Sequence, residues 1–486
     1  MKPTSPGTSR RDFVATAGGL VVGSALASGD AGARERSAAG DGSTLRAGAA
    51  ASNITPPLGV SLDGTIMQIG PARHIHDELH ARCIVLDDGR LRVAIVVCDV
   101  TMISRDLIDR AKERVARQTG VPANRVLISA THTHMAPRMV GIGTGELDRQ
   151  YEAFLIRRIA DAVARAVNNL SAAKAGWVGL DKPAFVQNRR WFMKPGSIPP
   201  SPLGSKTERV MMNGRPKENR VRPAGPVDPQ VSALSIQHAD GRPMAVLANY
   251  GIHYAGYKPK QISSDYFGRF ARRIAQLLGT DDQDPPVVGI MSNGTSGDVG
   301  RGPGGIGKVG DSVAQSVADA CRKAVHRDRV SLAMRDVELE LGVRRPDAAR
   351  LRWARELSAK ARGKKRLTRP EIYAREAIKL SAFPPKVSLK LQALRVGDLG
   401  IAAIPCEVFA ETGLAIKEAS PLEPTFVISL ANGYNGYLPT ARQHELGGYE
   451  TWPARSSYLE VQAESKIRAA ILDLLRETGR RGQTKS

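Results

Sequence analysis

Arg125-Val126-Leu127-Ile128-Ser129-Ala130-Thr131-His132-Thr133-His134-Met135-Ala136-Pro137 is the stretch around which the rest of the chain is read. Its first half is β-branched and apolar and follows the turn Val121-Pro122-Ala123-Asn124, which predicts a short buried strand. Two histidines come next, at i and i+2. In extended backbone those positions share a face, so both imidazoles address one point in space. Neutral imidazole is the commonest side-chain ligand of divalent metals, so such a strand end suits a metal. A pair of hydrogen-bonded or surface histidines has the same spelling, and so short a motif does not decide between them. Pro137 ends regular structure.

Working outward, residues 81–86 and 91–100 read as strands joined by the turn Asp87-Asp88-Gly89. The second is almost unbroken apolar and is expected at the centre of its sheet. Ser104 can cap a helix to about Thr119, with Leu107, Ile108, Ala111 and Val115 on one face and Gly120 as its stop. A second helix is expected over 148–169. Strand and helix alternate, so the expected fold class is α/β: mixed sheet layers with flanking helices in one large domain.

Farther on, residues 194–229 are rich in Pro, Gly, Lys and Arg and read as a long functional loop. Strands are expected at 231–238, 244–250, 287–291, 399–404 and 425–430, with Val387, Leu389 and Leu391 alternating in another. A helix is expected at 267–278, and a glycine-rich loop at 293–310 opens one toward Ala324. Residues 344–380 read as a basic helical insertion, with capping-box spacing from Thr368 to Glu371. Its charges either dock on an anionic surface or simply face water.

The chain has 486 residues, 42% apolar and 24% charged, as expected of a soluble globular protein, with net charge +22. That charge suits an anionic partner such as nucleic acid, acidic lipid or a polyanionic cell surface, or else a solvated basic face. Aromatic content of 5% argues against a base-stacking surface. At the start, Ser9-Arg10-Arg11-Asp12-Phe13 precedes an apolar run and the small-residue site Ala31-Gly32-Ala33, the layout of a twin-arginine export signal. The expected organisation is a signal over 1–33, a linker over 34–44 and a catalytic domain over 45–480, working in the periplasm or outside the cell. Export makes nucleic acid an unexpected partner. Cys83, Cys98, Cys321 and Cys406 form no C-x-x-C pair; they read as small buried hydrophobes, with room for one disulfide in an oxidising compartment.

Polar residues recur where strands end. His253 closes one strand, Glu407 follows Ile404-Pro405-Cys406, Tyr434 and Tyr437 follow the 425–430 strand, and Gln187-Asn188-Arg189-Arg190 presents cations. In α/β sheets, ligands gather at strand ends. Two histidines and a glutamate leave a position open, the usual pattern of catalytic zinc. Singly, each residue also reads as a core histidine, a surface ion-pair partner or core packing.

Taken together and in order, the pieces resemble the N-terminal catalytic domain of the neutral/alkaline ceramidases. They are Asn53-Ile54-Thr55-Pro56, Ser129 to His134 with Pro137, Asn188-Arg189, His253, Gly297-Asp298-Val299, Pro405-x-Glu407 and Asn432-x-Tyr434-x-x-Tyr437. The resemblance runs from about residue 47 to 470. It implies a Zn²⁺ held by His132, His253, Glu407 and Tyr437. It also implies acid/base work for His134 and stabilisation of a substrate oxygen by Arg189 and Tyr434, with Asp298 in the catalytic set. Two departures stand out. Gly300 occupies the place of the family's catalytic serine, with Ser292 and Ser296 out of register, and Cys406 replaces the usual glycine of the glutamate motif. The chain is also expected to lack the extra C-terminal β-domain.

The expected activity is hydrolysis of the amide of ceramide or a related N-acylated lipid or sugar by metal-activated water. Peripheral contact with an anionic membrane or cell surface is an expected accompaniment. Two alternatives stand beside it: a zinc deacylase or esterase on cell-wall or polysaccharide material, and a metal-free binder of an anionic glycan or lipid surface.

Overall fold

The computed structural model describes residues 44–64, 66, 69–142, 147–279 and 282–480. The expected export signal and all but the last residue of the expected linker lie outside the described residues. Residues 42–486 form one compact unit.

Two sheets stack between two layers of helices. The larger has eight strands, in the order Val288–Asn293, Pro243–Tyr250, Gln230–His238, Ser171–Asp181, Arg46–Asn53, His80–Asp87, Arg92–Cys98, Val126–Ala130. Its outermost pair at each end is parallel and every other pair antiparallel. The smaller runs Leu332–Gly342, Lys386–Val396, Leu399–Ile404, Thr425–Ser429, with only the last pair parallel.

Strand alternation sorts the apolar side chains between layers. Cys83, Val85, Ala94, Val96 and Ile128 face one way, against Leu155, Ile159 and Val163 of the helix Arg149–Asn168 and Ile108 and Val115 of the helix Arg105–Thr119. Ile84, Leu86, Val93, Ile95 and Val97 face the other way, against Leu394, Ile401, Phe426 and Ile428 of the second sheet. That sheet's far side packs on Ile467, Ile471 and Leu475 of the helix Ala463–Gly479. Each fully buried aliphatic chain contributes roughly 1.5–3 kcal/mol relative to exposure, so a sheet clad on both faces is the natural outcome of these unbroken apolar runs. The helices Asp265–Leu278 and Gly305–Lys323 cover the other half of the large sheet.

Several expectations change. The strand read at 91–100 is buried on both faces, as its composition demands, but stands next to the sheet edge rather than at its centre. The glycine-rich loop is shorter than 293–310, because the helix already begins at Gly305. The 194–229 excursion is not all loop: Val210–Met212 and Arg220–Pro223 pair with Arg190–Met193 in a small sheet. The basic segment is two helices, Ala348–Lys360 and Arg369–Ser381, the second opened by the predicted capping box at Thr368 and Glu371. All four cysteines are free and buried, with no disulfide. Among the described residues, no helix is long and apolar enough to cross a membrane.

The sheet's ends meet. Each strand step rotates by roughly 20–25°, so seven steps accumulate about 140–175° and swing strands of opposite sense toward one place. There Asn293 Nδ2 donates to Thr131 O at 3.0 Å, beside the two histidines. The second sheet joins at the same point: Asn432 N donates to Ile128 O at 2.8 Å and Ala130 N to Leu430 O at 3.2 Å.

Candidate metal centre

His132 stands where the edge strand ends. Its backbone is left-handed, φ 71°, so the two histidines do not lie on the extended segment that their spacing predicts. They converge all the same, because the turn at His132 brings the His134 ring back: the two Nε2 atoms are 3.3 Å apart. Leu430 and Asn432 on the adjoining segment also have positive φ, 55° and 63°. Three non-glycine residues in this region mark a place where the surrounding structure sustains strain.

Carbonyl oxygens fix the histidine tautomers. His132 Nδ1 lies 2.7 Å from Thr101 O, and His253 Nδ1 lies 3.0 Å from Ser296 O. A carbonyl only accepts, so each Nδ1 carries the proton and each Nε2 a lone pair. Those two Nε2 atoms face each other at 3.1 Å. Glu407 Oε2 lies 3.3 Å from His132 Nε2 and 4.0 Å from His253 Nε2. It is buried and has no hydrogen-bond partner. Its other oxygen, Oε1, accepts from the Tyr434 hydroxyl at 3.0 Å. Acceptors aimed at acceptors in a buried site leave a place that a cation fits. One ring nitrogen from each of His132, His134 and His253 lies within 4.8 Å of the other two. The donor set of imidazole nitrogen with one carboxylate suits a divalent transition-metal ion. Tyr437 is in register with Glu407 on the two-residue strand pair and lines the adjoining cavity.

Arg189 forms the opposite wall. Its Nε donates to Glu450 Oε1 at 2.8 Å, while the same carboxylate takes Arg190 Nη1 on Oε2 at 2.7 Å. Nη1 lies 3.3 Å from His253 Nε2, and the guanidinium carbon sits 5.3 Å from the Tyr437 ring centroid. Buried Nη2 has no partner, a donor free for a ligand. Burial pulls the guanidinium down, yet Tyr437, Glu450 and Glu407 outweigh it and hold Arg189 well above its usual range. Burial above all, with the electrostatic influence of His132 and Arg189 added to it, pushes His134 well below the usual histidine value, so its resting imidazole is neutral. Burial also drives the Tyr434 and Tyr437 hydroxyls well above 10, with Glu407 adding to both shifts.

Asp298 lies behind the cavity rather than in its wall. It accepts from Ala410 N at 2.8 Å and from Asn188 Nδ2 at 2.7 Å, and its backbone carbonyl takes Arg189 N at 2.8 Å. Burial raises its pKa to about 6 against those hydrogen bonds. Its geometry is that of a brace for Asn188 and Arg189. Ser292 donates to Ala248 O and Ser296 to Asn293 Oδ1, both turned into the protein. Gly300 does line the cavity, and a Cβ there would meet only Gln187 O at 3.4 Å and Arg189 Cβ at 3.5 Å. The position has room for a side chain.

Sequence reading missed two acids here. Glu450 sits in a short turn with no motif around it, and only the unpaired Arg189-Arg190 doublet hinted that a buried acid was needed. Asp63 is buried beside Arg138, accepts from Gly64 N at 2.9 Å, and leaves Oδ2 without a partner. Its Asp-Gly spelling reads as an ordinary turn.

These layers define an α/β scaffold with a metal-type donor set at its strand ends, and its fold is similar to that of solved neutral ceramidases. The structure of the neutral ceramidase from Pseudomonas aeruginosa superposes with a TM-score of 0.64 at 16% identity, over 90% of this chain and 74% of that one. A ceramidase complexed with C2 gives 0.65 at 15% identity, over 89% of this chain and 75% of that one. No family sequence model matches the chain.

Proposed function

We propose that the protein is an exported, zinc-dependent hydrolase that cleaves the amide carbonyl of an N-acylated substrate of the ceramide kind. The observation that carries this reading is the cluster at the inner wall of the cavity, where two proton-fixed imidazoles, one of them lining the cavity, and an unpartnered carboxylate oxygen converge. The fold shared with neutral ceramidases supports it.

His132, His253 and Glu407 would hold the ion, with Tyr437 beside them. When bound, zinc supplies Lewis acidity that polarises a carbonyl and brings the pKa of water toward neutrality. The chain's own residues supply the rest. Arg189 Nη2 is positioned to donate to the carbonyl oxygen as negative charge develops there. His134, neutral and lining the cavity, takes the proton released by attacking water and returns it to the leaving amine. Tyr434 orients Glu407 through its hydroxyl rather than reaching the substrate. With glycine at 300 and both nearby serines turned inward, water attacks directly, without an acyl-enzyme.

The test is hydrolysis of short-chain ceramides, N-acyl amino sugars and acetyl esters by zinc-loaded protein, followed by mass spectrometry beside His132→Ala. Amide cleavage lost in the variant is the expected result. No turnover on any substrate, with no bound metal, overturns the reading. His134→Gln separates its two roles: kcat falls about 10²–10⁴-fold with the metal retained if it carries protons, whereas loss of the metal makes it a ligand.

A further inference from the structure

The metal-type cluster opens into a cavity of about 810 Å³. Six cations line it: Arg189, Arg215, Lys217, Arg220, Arg301 and Arg369. They come from four separate parts of the chain, and no Asp or Glu is among the described lining residues. Among the described residues only Arg189 of the six has an ion pair, with Glu450, an acid it shares with Arg190. Arg220 is held in place without any acid, donating to Gly214 O at 2.7 Å and Asn213 O at 2.5 Å and stacking 4.6 Å from the Trp191 ring centroid. Arg215, Lys217, Arg301 and Arg369 have no ion pair among the described residues, and all four are exposed.

A basic chain exposes cations everywhere, but elsewhere many of them find acids: Arg269 meets Asp311 at 2.7 Å, Arg272 meets Asp77 at 3.0 Å and Arg105 meets Glu338 at 2.8 Å. Arg369 is especially telling. It is the first residue of its helix, where the helix dipole disfavours a cation. Helix stability therefore does not explain the charge. Aliphatic side chains are few among the described lining residues, Ile66, Ile69 and Met212, and aromatic rings such as Trp191, Tyr254 and Tyr257 supply the other apolar wall.

We infer that the substrate carries a strong oxyanion (a sulfate, phosphate or carboxylate) on the part of the molecule that fills this cavity. The inference rests on the hydrolase reading for its chemistry but not for its binding. Unpaired cations in a concave wall concentrate field and favour an anion over its neutral counterpart.

The experiment compares matched pairs on zinc-loaded protein: N-acetylglucosamine 6-sulfate against N-acetylglucosamine, and short-chain ceramide 1-phosphate against ceramide in mixed micelles. Binding is read by calorimetry and hydrolysis by mass spectrometry. The anionic member of at least one pair should bind roughly tenfold or more tightly, with an affinity that falls as salt rises. The pair that responds identifies a sugar or a lipid source. In the triple variant Arg215→Gln, Lys217→Gln, Arg301→Gln that preference should fall about tenfold and its salt dependence flatten. Removing the same net charge from the exposed helix positions Arg352, Arg355 and Lys360 should leave it within about twofold. Equal binding of both members of both pairs, or equal losses in the two triple variants, overturns the inference. Anion-selective binding without hydrolysis supports it while sinking the hydrolase reading; hydrolysis without selectivity does the reverse.

Discussion

The floor and the rim of the cavity treat charge in opposite ways. At the floor, Arg189 and Arg190 are buried and share the two oxygens of Glu450, which is itself fully buried. Burial alone would raise that carboxyl, yet the two arginines hold it below its usual value. At the rim, Arg215, Lys217 and Arg301 are exposed and make no ion pair among the described residues, although Glu218 is adjacent to Lys217 in the chain. The floor pairs its buried arginines with a buried acid, and what it leaves open is an acceptor, Glu407 Oε2, and a donor, Arg189 Nη2. The rim leaves positive charge unbalanced, which costs little in water and is useful only toward something that arrives.

That contrast can be broken most forcefully at Glu450. Glu450→Gln leaves two buried guanidinium groups without a counter-charge and should destabilise the fold by about 3–5 kcal/mol. Arg215→Gln at the rim should change stability by no more than about 0.5 kcal/mol. Urea unfolding of both variants measures the difference directly. Equal effects would mean that floor and rim are not distinct.

Tyr434→Phe sharpens the floor at a finer scale. It removes only the hydroxyl that orients Glu407, so metal affinity should fall about 10–100-fold with the fold intact. Competition with a zinc chelator reads it, and unchanged affinity would detach Tyr434 from the metal centre.

The smallest expected effect lies behind the floor, at Lys112. This buried amine donates to Asn432 Oδ1 at 2.7 Å and so braces the strained segment leading to Tyr434. Burial, reinforced by Lys390, pushes its pKa down to about 7. Between about 7 and the usual lysine value the unfolded chain therefore binds the extra proton, so the stability from this group rises with pH across that window. The Tm difference between wild type and Lys112→Gln should grow from pH 7 to pH 10. A flat or shrinking difference would contradict it.

Much of the α/β layering was legible because sheets clad on both faces demand unbroken apolar runs, as in 92–98, and because the helix 105–119 carries both its Ser104 cap and its Gly120 stop. The strand Arg46–Asn53 was not, since its alanines and glycine lack β character. They are small because the helix Arg149–Asn168 lies directly on them, a Cβ at Gly48 falling 2.1 Å from Ala166 O. At the site, His132, His253 and Glu407 were readable as polar residues ending apolar strands. Their protonation was not, because it depends on the carbonyls of Thr101 and Ser296, which any residue would supply. Glu450 and the rim cations escaped for a related reason: their meaning comes from convergence of distant segments.

The central claim is that the facing acceptors of His132, His253 and Glu407 hold a metal ion. Elemental analysis of the purified, dialysed protein, beside His132→Ala and His253→Ala, tests it most directly. The account predicts close to one zinc per chain in the wild type and its loss in both variants. A wild-type protein that hydrolyses its substrate with no bound metal, or variants that keep the ion, would contradict it.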